Sequence, residues 1–199
     1  MDPRYRRSRE ALRAAVYELA AVQPVTEITV TELCRVAGVT KDTFYRHASS
    51  PLGLLADMLS EELEAFAAPP AGVAGRAAAD GGLRAAEHSL LEHVATHAEV
   101  YRAAMRPQLT MLLRSNLERI VRDALIAQLH ERPEIIPSEV DRDDEAALRL
   151  LASYAASGTV GAIESWLAEP ELDVDRGVRL ILAASPRFWL GETAPERSI

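Results

Sequence analysis

One cysteine, one lysine, three phenylalanines and two tryptophans in 199 residues put several kinds of protein out of reach. A lone Cys34 closes no internal disulfide and builds no thiolate cluster for zinc, so neither a redox framework nor a zinc finger is expected. No apolar run approaches the ~20 residues of a membrane-spanning helix, and no greasy stretch follows the arginines of the N-terminus. The sequence therefore predicts a cytoplasmic protein with no membrane partner. A phosphate-cradling glycine loop and a nucleophile elbow are also missing, since Gly72, Gly75, Gly81 and Gly82 follow no strand pattern. The expectation is no enzyme and no cofactor, with a helical enzyme kept as an alternative.

What is present is helix-forming residue. Alanine accounts for 34 positions, hydrophobic residues for 48% and charged ones for 26%, and apolar residues recur three and four apart rather than alternating. The fold class predicted is all-α. Charge is divided unevenly along the chain. The net value is −8, yet residues 1 to 50 hold eight basic and six acidic side chains, against fourteen and twenty-four in the rest. Arg4, Arg6, Arg7, Arg9 and Arg13 make the start a basic arm suited to phosphate.

The first predicted helix runs from Arg4 to Ala21, with Leu12, Ala15, Val16, Leu19 and Ala20 on one stripe. Thr29-Val30-Thr31-Glu32 has the form of a capping box, in which a threonine hydroxyl and a glutamate satisfy each other's backbone amides. A second helix therefore starts at Thr29 and ends at Ala37, before Gly38, and Thr40 can cap a third at once. Ser50-Pro51 opens a fourth helix to about Ala67. Prolines and glycines from Pro69 to Gly82 then break the pattern, as a flexible connection would. Further helices are predicted at Leu83–Thr96, Ala98–Met105, Pro107–His130, Asp143–Ala168 and Val174–Leu190. Two domains follow, 1–50 and 51–199, joined through the fourth helix.

Between Thr29 and His47, helix, glycine turn and helix succeed one another at the spacing of a DNA-binding helix-turn-helix. On a helical wheel Phe44 and Ala48 point inward, Asp42, Thr43 and Arg46 point away, and Lys41, Tyr45 and His47 lie on the flanks. Leu33, Ala37, Val39 and Phe44 supply the apolar clamp, with Cys34 as a small filler. Lys41 and Arg46 can donate to guanine O6 and N7, and Thr43 can meet a thymine methyl or a phosphate. Asp42 can accept from cytosine N4, but at the second helical position it also favours the helix dipole, which is the preferred reading. Tyr45 and His47 are expected to hold phosphates. With Thr29, Thr31 and Thr40 they complete the predicted double-stranded DNA interface.

The run from Ile28 to His47, above all Thr43-Phe44-Tyr45-Arg46-His47, resembles the N-terminal signature of TetR-family transcriptional regulators. The likeness is sharp over about residues 8 to 60. It is weaker beyond, where Gly158, Gly161, Trp166 and Leu167 look like that family's penultimate helix. The resemblance implies a homodimer, about nine helices, a recognition helix starting near Thr40, and a larger helical domain for dimerisation and effector binding. It implies a regulator that binds a palindromic operator and is released by a small, mostly apolar ligand, with a DNA-binding dimer lacking any effector as the alternative. Two departures stand out. Ala48 replaces a bulky apolar residue, and Pro51 replaces a lysine that contacts phosphate, which shifts positioning onto the amide end of the fourth helix and the arginine arm.

Apolar positions on the last two long helices fit either an intrachain core or a four-helix dimer bundle, and the resemblance favours the dimer. Its expected interface is Leu148, Leu151, Ala155, Gly158, Ala162, Val178 and Leu182. Tyr101, Met105, Met111, Tyr154 and Trp166 are candidate ligand-lining residues. His93 and His97 lie four apart, with His88 nearby, but no His-Glu metal motif accompanies them, so no metal is expected.

Overall fold

The computed structural model describes residues 2–67, 81–105 and 108–191. Among these there are nine α-helices: α1 Pro3–Ala20, α2 Val30–Ala37, α3 Lys41–Tyr45, α4 Pro51–Ala67, α5 Gly81–Thr96, α6 Ala98–Ala103, α7 Met111–Glu131, α8 Glu145–Leu167 and α9 Val174–Ala184. No strand occurs among them; an isolated bridge joins Met105 to Leu109. The predicted connection after Pro69 lies mostly outside the described residues, as does the predicted start of a helix at Pro107.

Local chemistry explains the helix ends. Asp2 accepts a hydrogen bond from the Arg4 amide at 2.8 Å, and Pro3 sits at the first position of α1, where a missing N–H costs nothing. Thr29 Oγ1 accepts from the Glu32 amide at 3.1 Å. The other half of the expected capping box is absent, because the Glu32 carboxylate accepts from Gln23 Nε2 at 3.2 Å instead. Ser50 Oγ caps α4 through the Gly53 amide at 3.0 Å. At the far end, the predicted helix to Leu190 stops at Ala184. Pro186 has no N–H to continue it, and the chain resumes as a 3₁₀ turn over Arg187–Leu190.

The chain forms two compact units, one of residues up to Glu62 with Thr96–Asn116, the other of Leu63–Ala95 with the residues from Leu117 onward. The division thus runs inside α4 and α7. In the first unit α1 packs on α2 and α6, and α2 on α3; Leu12, Val16, Leu33, Phe44, Leu54, Leu55 and Met58 are fully buried there. The second unit has a core of Leu125, Leu129, Ile135, Ile136, Leu148, Ala152 and Trp189, with Leu151 and Ala155 packed against it.

By length and hydropathy α8 is the one described helix able to cross a membrane, contrary to the expectation that no segment comes close. Its apolar residues are used otherwise: Leu148, Ala152, Ala156, Val160, Ile163, Trp166 and Leu167 are buried inside the protein.

Candidate nucleic-acid interface

The sharp turn between α2 and α3 depends on Gly38. Its φ of 64° is left-handed, a region that a side chain penalises, and its amide bonds the Cys34 carbonyl to end α2. Two residues on, Thr40 starts α3, its Oγ1 accepting from the Thr43 amide at 3.2 Å and lying 3.0 Å from the Thr43 hydroxyl. Phe44 is wholly buried and fixes the inner face of α3, with Cys34 buried beneath α2. Burial pushes the Cys34 thiol up, against the pull of Lys41, so this sulfur is inert packing.

The outer face carries the predicted polar set. Thr29, Thr31, Thr40, Lys41, Asp42, Tyr45 and Arg46 are all exposed, and Thr43 is half-buried. Tyr45 is 60% exposed while its ring edge leans on Phe44, with centroids 5.3 Å apart. Neither Lys41 nor Arg46 forms an ion pair with any described residue.

His47 departs from the expectation of a phosphate contact. The Ser8 hydroxyl donates to the Tyr5 carbonyl at 2.9 Å, so its oxygen accepts from His47 Nε2–H at 2.8 Å. This pattern puts a proton on Nε2 and leaves Nδ1 buried and without a partner. A second proton would place a charged N–H where nothing accepts it. Burial, and after it the charge of Arg9, hold the imidazole below its usual value. The Tyr5 ring lies against the imidazole at 4.2 Å. His47 thus pins the end of α3 to the start of α1.

The basic arm is also smaller than the sequence indicates. Arg9 is paired with Glu61, and Arg13 with Glu62 at 3.0 Å and Glu61 at 3.7 Å. Arg4, Arg6 and Arg7 are exposed and make no ion pair with described residues. Glu62 gathers more than Arg13: it accepts from the Tyr17 hydroxyl at 3.0 Å and from His97 Nε2 at 2.8 Å. Tyr17 stacks on His97 at 4.9 Å. Burial first, then the charge of Glu62, push the Tyr17 and Tyr101 phenols far up, so both stay protonated. This junction of α1, α4 and α6 has no sequence signature, because its members come from three separated segments.

The expected ligand-lining residues differ in exposure. Tyr101 and Trp166 are buried, Met105 is half-buried, but Tyr154 is 77% and Met111 83% exposed. Those two face outward because the apolar stripes of their helices are turned the other way. Met111 borders a half-open cleft of about 380 Å³ with Val25, Ala103, Ala104, Leu109 and Arg114; none of the other four lines it.

The expected dimer residues divide between the interior and the surface of the chain. Leu148, Val178 and Leu182 are buried in their own subunit, and Leu151 and Ala155 pack on its core. Gly158 is exposed and Ala162 half-buried. The open side of α8 instead carries Leu150, 72% exposed, with Tyr154 and Gly158, and α9 exposes Leu180. On the helical wheel Leu150 and Tyr154 lie about 100° from the middle of the predicted set, of which Gly158 is itself a member. Nothing lies within 4 Å of where a Cβ would stand on Gly158 or Gly161.

No protein-family model matches the sequence, and no curated protein matches it. Solved structures do. The dihydroxyacetone kinase operon activator DhaS superposes with a TM-score of 0.58 at 12% identity, covering 88% of this chain and 94% of its own. The fatty acid degradation regulator FadR from Bacillus halodurans gives 0.54 at 16%, covering 92% and 97%. The TetR family repressor AlkX from Dietzia sp. Strain DQ12-45-1b, implicated in biodegradation of n-alkanes, gives 0.52 at 19%, covering 94% and 96%. A tetR-family regulator from Streptomyces coelicolor gives 0.53 at 16%, covering 90% of each chain. At these identities the likeness is one of fold.

Proposed function

We propose that this chain, which has the fold of TetR-family regulators, is a transcriptional repressor that binds a palindromic operator in the cytoplasm as a homodimer. The observation that carries the reading is the exposed polar face of α3. Lys41, which opens α3, and Arg46, which caps it, form no ion pair with any described residue, and the helix is held by the Gly38 turn, the Thr40 cap and the buried Phe44. An unpaired lysine and arginine on a helix after a tight turn suit guanine edges in a major groove. Arg4, Arg6 and Arg7, with the amide end of α4, would hold flanking phosphates, and Thr29 and Thr31 on α2 would meet the backbone.

A dimer would place two such helices about 34 Å apart, in successive major grooves. Its contact would be the open side of α8 and α9, with Leu150, Tyr154 and Leu180 as apolar anchors and Gly158 and Gly161 allowing close approach. A small effector that binds the DNA-incompetent arrangement more tightly would release the operator; one without that difference would regulate nothing. The likeness extends to a protein named as an activator and one named as a repressor, and repression is chosen here because occupying an operator needs no further surface.

The experiment is genome-wide mapping of bound DNA, followed by gel shift on the recovered fragment. A palindromic fragment bound in preference to random duplex at moderate salt supports the reading. Equal binding of both ends it.

A further inference from the structure

The second compact unit holds an ionisable group in a place that packing alone does not explain. Glu87, on α5, is 6% exposed; its Oε1 is buried without a hydrogen-bond partner, and it forms no ion pair with any described residue. Burial raises its carboxyl to about 7. A buried acid left unpaired is costly and is seldom retained without a use.

A second orphan polar atom belongs to the same compact unit. Trp166 Nε1, on α8, is buried and also without a partner. Its position relative to α5 is fixed through Gly177 on α9. A Cβ on Gly177 would stand 2.6 Å from Leu91 Cδ2 and 3.5 Å from Trp166 Nε1, so the indole N–H and the Leu91 side chain meet at the same point of α9. Glu87 is one turn before Leu91 on the same side of α5, and helical side chains lean toward the N-terminus, from Leu91 toward Glu87. The next residue, His88, sits 3.4 Å from Asp175 at the beginning of α9. An acceptor and a donor, both unsatisfied, thus belong to the one junction of α5, α8 and α9.

We propose that this junction is a binding subsite for an organic amine, an apolar body whose basic nitrogen Glu87 receives beside the Trp166 indole. It rests on the reading of the chain as an effector-responsive regulator, and it narrows the effector from mostly apolar to apolar and cationic. A cation is favoured over a neutral donor because a charge-assisted hydrogen bond is about twice as strong. An anionic ligand is disfavoured twice over, by the buried carboxyl and by residues 51 to 199, which carry ten more acidic than basic groups.

The test uses three probes with one body and different heads, phenylbutylamine, phenylbutanol and phenylbutyrate, titrated into the full chain while the indole N–H resonances are followed by NMR. Trp189→Phe assigns the Trp166 signal. The expected result is a saturable shift of that signal with the amine, about tenfold weaker binding of the alcohol and carboxylate, and loss of the amine preference in Glu87→Gln, whose thermal unfolding stays cooperative. Equal affinity for the three probes, no saturable shift with any, or an amine preference that survives in Glu87→Gln overturns the proposal. No DNA is present in this experiment, so failure leaves the operator reading standing, and failure of the operator assay leaves the amine site standing.

Discussion

Lys41 opens the five-residue α3 and Arg46 caps its end, both exposed and neither in an ion pair with a described residue, so under the proposed function their removal should be felt at the DNA rather than in the fold. Replacing either by alanine should cost about 1–3 kcal/mol of discrimination at one base pair, read by competition between the operator and single-base variants, with unfolding in urea unchanged. Arg4, Arg6 and Arg7 act differently. Removing all three should weaken binding to every sequence and lower the slope of log affinity against log salt by about 0.9 for each phosphate that is no longer neutralised. His47, its imidazole held below the usual value by burial, should add nothing to that slope. The slope should be equal at pH 7.5 and pH 6.5, and a steeper one at the lower pH would show that the imidazole takes up a proton on DNA.

Glu87 gives the residue scale a pH dependence of its own. Its carboxyl sits at about 7 in the folded chain, above the unfolded value, so the folded state holds the proton more tightly. The stability it contributes is complete below the ordinary carboxylate range and is lost as pH rises through about 7, on the order of 3 kcal/mol over the window. Denaturant unfolding at pH 5 and pH 8 measures the loss. Glu87→Gln should shrink it.

At the scale of elements, the α2–α3 unit was readable almost to the residue, since capping and turn chemistry are local. Thr29, Gly38, Thr40 and Ser50 each act on a backbone group within a few residues. Gly38→Ala puts a side chain into left-handed backbone and should cost about 1 kcal/mol, with operator affinity falling because the recognition helix is misdirected. Other element-scale facts were illegible. Nothing in the spacing of Gly177 distinguishes it from Gly158 or Gly161, yet of these three only Gly177 has neighbours where a Cβ would stand. Gly177→Ala must displace Leu91 and should cost about 1–3 kcal/mol, whereas alanine at Gly158 should leave the stability of the isolated subunit within about 0.5 kcal/mol. Thermal unfolding of the two variants decides between them.

For the whole molecule, the proposed dimer raises the question of which face of α8 would meet a second copy. Periodicity identified an apolar stripe of which Leu148, completely buried, with Leu151 and Ala155 belongs to the chain's own core, while Gly158 is exposed. Tyr154→Glu or Leu150→Glu should therefore dissociate the proposed dimer, seen by sedimentation, with little change in the folding of the chain. Leu148→Ala should instead cost about 2–5 kcal/mol of folding stability. A dimer that persists with both Tyr154→Glu and Leu150→Glu would place the contact elsewhere.

The sequence by itself determined the all-helical architecture, the short helix-turn-helix and most of its exposed polar face, because helix period, caps and a left-handed glycine are decided by neighbours along the chain. Only the tertiary structure decided that Arg9 and Arg13 are taken by Glu61 and Glu62, that His47 pins α3 to α1, and which stripe of α8 stays open. Those outcomes depend on charges and surfaces that meet across long stretches of chain, where burial and pairing, not local preference, set the energy.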